Sequence, residues 1–162
     1  MQTLVPLAEA VAALLKSRKE TVAIAETSSG GLIAASLLAV PGASAYFLGA
    51  SVAYTKQARI ALLDITDDAM RGIRSSSEPY AALLARTIRE RHGATWGLSE
   101  SGAAGPTGNR YGDEAGHTCI GVSGPSECVL TIETGHGDRQ ENMRTFAQTA
   151  LETLLQRIRA TG

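Results

Sequence analysis

The sequence predicts a single three-layer α/β domain whose mixed sheet is flanked by helices. Two patterns carry this. Short runs of small and branched residues alternate with helical segments in the first two thirds of the chain, and two adjacent strand-like runs form a hairpin near the end. A third observation limits the domain count. The chain has 162 residues, enough for one hydrophobic core, so 1–162 is read as one domain.

The elements follow in order. Leu4 to Arg18 has apolar residues at helical spacing and ends in charge. It lacks a basic start and a cleavage site, so it reads as an amphipathic helix and not a signal peptide. Thr21 to Glu26, TVAIAE, is a short buried strand. Gly30 to Ala39 is apolar on every side, which predicts a nearly buried helix. A turn at Pro41–Ser44 leads to a second strand, Phe47 to Thr55, and a helix over Lys56–Leu63. Asp67 to Gly72 reads as a short helix entered from Thr66.

The segment SSSEPYAALLARTIRERHGA gives the clearest helix. Ser76 or Ser77 caps it, Pro79 lies in its first turn, Gly93 stops it, and His92 suits its negative end. Thr95–Ser101 is a strand, followed by a long irregular loop from Gly102 to His117. Strands near Thr118–Val122 and Cys128–Glu133 flank a turn at Pro125, and Asp138–Ala160 is a closing amphipathic helix. Cys119 and Cys128 fall out of register across that turn, so they read as small buried hydrophobes and not as a disulfide.

Composition excludes several classes. Fifteen Lys and Arg oppose sixteen Asp and Glu, for a net charge of -1, which gives no reason to expect nucleic acid. No apolar run is long enough to span a bilayer, so no membrane partner is expected. The cysteine usage fits the cytoplasm. Low charge and apolar helices lead to the expectation of a homo-oligomer. Neither a metal nor another cofactor is expected.

Three segments are candidates for chemistry. The turn Thr27-Ser28-Ser29-Gly30-Gly31 joins a strand to a helix. It is open to three readings: a helix cap, an anion cradle built from helix N–H groups, or the seat of an exposed hydroxyl nucleophile. The loop Gly102–His117 carries Asn109, Arg110, Tyr111 and Asp113 close together, which makes either a binding rim or a surface excursion. Tyr54, Lys56 and Arg59 lie where a strand becomes a helix. Lys56 and Arg59 share a helix face, which suits either a solvated basic face or a site.

The stretch AETSSGGLIAASLLAVPGASAYFLGASVAYTKQARIALLDI, the loop SGAAGPTG and the segment GDRQENMRTFAQTALETL together resemble the CinA C-terminal-domain family. The likeness runs in order over nearly the whole chain. It implies a single α/β domain and a nicotinamide-nucleotide amidase, which hydrolyses the carboxamide of nicotinamide mononucleotide to the acid and ammonia without a metal. The family chemistry is a Ser–Lys dyad, and both positions differ here. Thr27 stands at the nucleophile and Arg59 at the base, while Asp113-Glu114 replaces a Lys-Pro of the family loop. Arginine holds its proton too tightly to act as a base.

Lys56, one turn before Arg59, is the substitute base to be expected if repulsion from Arg59 lowers its pKa, with Thr27 or Ser28 as its partner. The resemblance therefore implies catalytic roles for Thr27, Ser28, Lys56 and Arg59. It implies binding roles for Ser29, Gly30, Gly31, Tyr54, Gly105, Gly108, Asn109 and Arg110, toward a small nucleotide or carboxamide. Amidase activity is expected to be weakened or altered, with a catalytically silent nucleotide-binding protein as the alternative.

Overall fold

A computed structural model describes all residues from Met1 to Gly162. Its centre is a five-stranded sheet of order β2-β1-β3-β4-β5. The strands are β1 (Val22–Glu26), β2 (Phe47–Val52), β3 (Trp96–Ala103), β4 (His117–Ser123) and β5 (Cys128–Glu133). β2, β1 and β3 run parallel, and β3, β4 and β5 run antiparallel, so the sheet is mixed. Helices α1 (Val5–Arg18), α2 (Leu32–Leu38) and α5 (Arg139–Ala160) pack together on one face. Helix α4 (Glu78–His92) covers the other face, with α3 (Lys56–Leu63) beside it. The three-layer expectation therefore holds.

Burial follows position in the sheet. The inner strands β1 and β4 are buried along their whole length, because both of their faces meet helices. The edge strands β2 and β5 alternate between half-buried and exposed residues. The main core, which includes Leu15, Ile24, Leu37, Tyr46, Trp96 and Leu151, is closed by α1, α2 and α5. A smaller one, with Leu63, Tyr80, Leu84 and Ile88, lies under α4 and α3.

Most boundaries agree with the sequence within two or three residues. Thr55 caps α3, Ser77 caps α4 and Asp138 caps α5, each accepting a backbone N–H through its side chain. The cysteines are free and out of register: Cys119 pairs across the ladder with Thr131, and Cys128 with Val122. Two expectations fail. Residues 67–72 form successive turns and not a helix. Their N–H groups close short loops, such as Met70 N–H to the carbonyls of Thr66 and Asp67, without building a ladder. Helix α2 is also shorter than expected and is capped by neither Ser28 nor Ser29. Its N-cap residue is Gly31, with no side-chain cap of its own.

Candidate functional site

Parallel strands of order 2-1-3 create a switch point. The chain leaves β1 for β2 on one side, and β3 lies on the other. Ligands of open α/β sheets bind outside the carboxyl ends of the strands at such a point. A cavity of about 740 Å³ lies there. Its lining includes Thr27 and Ser28 after β1, Tyr54 to Lys56 and Arg59 after β2, and Ser101 and Gly102 on β3. Arg74, Ser75 and Ser76 before α4, with Arg110 and Tyr111 of the long loop, complete the wall. Distant segments of the sequence, each a candidate on its own, thus converge on one hollow.

The Thr27–Gly31 turn has a structural task that explains its composition. Glu26, at the end of β1, is fully buried. Its carboxylate accepts the N–H groups of Gly31 (3.0 Å), Ile33 (3.2 Å) and Ala34 (2.9 Å), and the Ser29 hydroxyl at 2.6 Å. An internal carboxylate therefore satisfies the positive end of α2. Gly30 and Gly31 adopt φ of +67° and +98°, which a residue with a Cβ resists, and so turn the helix start back onto Glu26. A second buried acid, Glu100 on β3, accepts the N–H groups of Ser29 (2.8 Å) and Thr27 (3.2 Å) and lies 2.8 Å from the Thr118 hydroxyl. Burial pushes the Glu100 carboxyl above its usual range, against the hydrogen bonds from Ser29 and Thr118.

The anion-cradle expectation for Ser29, Gly30 and Gly31 is accordingly corrected. The donors that would hold a ligand anion are already taken: the Ser29 N–H by Glu100, the Gly31 N–H by Glu26 and the Gly30 N–H by the Thr27 carbonyl. What remains at the cavity is Thr27, Ser28 and the Ser28 N–H, which has no partner within the protein. The Ser28 hydroxyl donates to the Gly102 carbonyl at 2.5 Å, while the Thr27 hydroxyl meets only Ser28 Oγ, at 3.5 Å.

The Lys56–Arg59 pair also differs from expectation. Both cations converge on Asp67, with Lys56 Nζ at 2.9 Å and Arg59 Nη2 at 2.8 Å. Hydrogen bonds from Lys56 and Arg59 hold the Asp67 carboxyl below its usual range. Arg59 Nε also donates to the Ile65 carbonyl. The like-charge repulsion that was to make Lys56 a base is offset by this carboxylate. In the sequence Asp67 is marked only as the start of a short helix, and its pairing with both cations depends on the fold.

Gly102 belongs to β3, and of the rest of the long loop only Arg110 and Tyr111 reach the cavity. The Asn109 side chain accepts the N–H groups of Tyr111 and Asp113 and donates to the Asp113 carboxylate, so it folds the loop. Gly108 packs where a Cβ would fall 2.0 Å from the Asp113 carbonyl oxygen. The Gly105 carbonyl accepts from Arg139 Nη1 of α5. Gly105, Gly108 and Asn109 are therefore corrected from ligand contacts to loop supports. The Tyr54 hydroxyl accepts from Arg139 Nη2 at 3.3 Å.

Arg74 and Ser76 join the cavity wall although the sequence marks Arg74 for nothing and Ser76 only as a helix cap. Arg74 makes two hydrogen bonds to Asp113, at 2.8 and 3.2 Å, and stands 5.2 Å over the Tyr111 ring. Arg110 lies at the same distance from that ring. Ser76 has φ of +56° in a residue that carries a Cβ. The only signal in the sequence was the run Arg74-Ser75-Ser76-Ser77, which a helix cap explained too readily.

The CinA C-terminal domain matches residues 4–158. Among curated relatives, the CinA-like protein of Desulforapulum autotrophicum is 37% identical over 94% of this chain and 36% of its own length. That of Desulfosudis oleivorans is 40% identical over 91% of this chain and 36% of its own length. That of Chlorobaculum tepidum is 38% identical over 96% and 38%. The chain thus spans 36–38% of the length of these relatives. Among solved structures, the competence/damage inducible protein CihA from Agrobacterium tumefaciens has a TM-score of 0.83 at 27% identity, with 94% of each chain covered. A competence-damaged protein (CinA) superfamily protein from Klebsiella pneumoniae reaches 0.90 at 22% identity, over 97% of this chain and 98% of that one, and supports the fold alone.

Proposed function

The chain belongs to the CinA C-terminal domain family, and on that premise we propose that it binds a pyridine nucleotide carboxamide and hydrolyses it weakly. The reaction is that of a nicotinamide-nucleotide amidase. The observation that carries the reading is the cavity at the switch point, with Thr27 and the unpaired Ser28 N–H on one wall and Lys56, Arg74 and Arg110 on others. A carboxamide at Thr27 and a phosphate at the cations fit that division of charge.

In the reaction, Thr27 Oγ forms a bond to the amide carbon and loses its proton to a base. The Ser28 N–H donates to the oxygen that becomes negative. The C–N bond then breaks, and nitrogen leaves as ammonia after gaining a proton. Water cleaves the resulting ester to give the acid and restores the hydroxyl. The base is the weak point. Only another hydroxyl lies within hydrogen-bond reach of Thr27 Oγ, and both nearby cations are engaged by Asp67. The same observation favours the second reading, a protein that binds the nucleotide and does not turn it over. A cytoplasmic location and a homo-oligomeric assembly belong to the proposal as well.

The test measures ammonia release from nicotinamide mononucleotide alongside its effect on melting temperature. The native chain should melt higher with the nucleotide and release little ammonia. The double variant Thr27→Ser, Arg59→Lys should release more, and each single variant should change little, since nucleophile and base act as a unit. Robust turnover by the native chain would overturn the reading of its substitutions. A double variant that binds nucleotide yet stays silent would leave the binding protein as the function. No melting shift in either protein would remove both readings.

A further inference from the structure

The cavity wall formed by Arg74, Ser75 and Ser76 is an unusual piece of backbone. Ser76 sits in the left-handed region and is only 6% exposed. A residue with a Cβ stays there only when its surroundings hold it. Its N–H donates to Ser101 Oγ at 3.2 Å. Its carbonyl accepts from His117 Nε2 at 2.8 Å, with Arg74 Nη1 at 3.4 Å and Cys119 Sγ at 3.6 Å. The closest of these donors is a histidine outside the cavity lining.

The partners of His117 decide its protonation. It is 5% exposed, and its Nδ1 lies 2.6 Å from Glu133 Oε1. A backbone carbonyl and a carboxylate only accept, so both ring nitrogens must carry hydrogen for both contacts to be hydrogen bonds. The ring is then an imidazolium. We propose that His117, as the doubly protonated ring, is the residue that positions the Arg74–Ser76 wall of the cavity, so that ligand binding weakens when this ring loses a proton. A neutral imidazole has one N–H and must release Ser76 or Glu133. The inference rests on the cavity being the ligand site.

The groups that face His117 come from every side. They are Glu133 from β5, the Asp113 carboxylate 3.5 Å from Nε2, and Cys119 two residues along β4. Arg74 reaches it through Asp113, and Glu78 of α4 bonds Thr131 beside Cys119. Burial pushes the Cys119 thiol up, which keeps it a neutral neighbour. Burial also disfavours the charged His117 ring, but the hydrogen bonds to Glu133 and Ser76 and the field of Asp113 outweigh it, and the net shift is upward from 6.5. The wall is therefore held below that ordinary value and released as pH rises through the higher folded-state value.

The experiment follows three quantities against pH in the native chain: the His117 imidazole shifts by NMR, the exchange protection of the Ser76 amide, and the affinity for nicotinamide mononucleotide. All three should change at one midpoint above the ordinary imidazole value, with affinity falling at least about fivefold, the lower end of ordinary coupling between sites. Glu133→Gln, which lies outside the cavity, should move that midpoint down. His117→Gln should leave the Ser76 amide poorly protected and the affinity low at every pH. A Glu133→Gln midpoint equal to the native one, or a His117→Gln protein that keeps the native pH profile, would overturn the proposal. If the nucleotide binds at no pH, the cavity reading falls. The imidazole and amide curves still decide whether His117 holds the wall.

Discussion

Ser29 has one hydroxyl proton and two carboxylate oxygens within reach, Glu26 at 2.6 Å and Glu100 at 2.8 Å. With both acids ionised, one of these contacts sets two acceptors against each other. A proton on Glu100 Oε2 relieves this, because it donates to Ser29 Oγ, whose own hydrogen goes to Glu26, while Oε1 still accepts from the Thr118 hydroxyl. The two acids should thus respond to mutation in opposite ways. Glu26→Ala leaves the N–H groups of Gly31, Ile33 and Ala34 buried without a partner, and should cost about 3–5 kcal/mol in urea unfolding. Glu100→Gln, with its amide nitrogen turned to Thr118 Oγ1, keeps an acceptor for the Thr27 and Ser29 N–H groups and removes the charge. Its expected cost at pH 8 is small or negative. The sign follows from linkage: a carboxyl raised in the fold gives stability below the unfolded value and loses it as pH rises through the folded one. The variant should therefore lose less stability between pH 4 and pH 8 than the native chain, measured by denaturant midpoint.

Helix α4 shows how one element serves two ends. Its cap, Ser77, accepts the Tyr80 N–H and donates to the Arg74 carbonyl at 2.6 Å. The same side chain therefore starts the helix and ties the cavity wall to it. At the other end, Gly93 takes a left-handed C-cap and Arg89, Arg91 and His92 meet the negative pole. Ser77→Ala should destabilise the protein by about 1 kcal/mol, the usual cost of a lost cap. It should also weaken nicotinamide mononucleotide binding. A cap replacement that restores the hydrogen bond from Tyr80 N–H, Ser77→Asp, should recover stability without the bond to the Arg74 carbonyl. Melting curves and binding isotherms of the two variants separate these effects.

The whole molecule carries a net charge of -1, yet its cavity gathers Lys56, Arg59, Arg74 and Arg110 against Asp67 and Asp113. The attraction for an anion is therefore local to the site and absent from the molecule at long range. Raising salt from about 0.05 M to about 0.5 M shortens the screening length severalfold. The affinity for nicotinamide mononucleotide should fall across that range, while nicotinamide riboside, which lacks the phosphate, should change much less. Equal salt dependence for the two ligands in a titration series would show that the cations do not meet the phosphate. No helix of the protein is long and apolar enough to cross a membrane.

The elements were largely legible in the sequence because they depend on near neighbours. The run Val22–Glu26 had strand composition, Ser77 with Pro79 and Gly93 bounded α4, and the cysteine spacing excluded a hairpin disulfide. The residues that approach the cavity from turns and from the start of α3, Thr27, Ser28, Tyr54, Lys56, Arg59 and Arg110, were also visible as local clusters. The tertiary structure decided the use of each polar group, since that depends on partners far along the chain. Glu100 lies 71 residues from Ser29 and takes its N–H, and Glu133 and Ser76 approach His117 from opposite directions in sequence. A buried donor binds whichever acceptor the packing brings near, and no local pattern records that choice. For this reason the glycines of the first turn looked like a ligand cradle while they in fact serve Glu26.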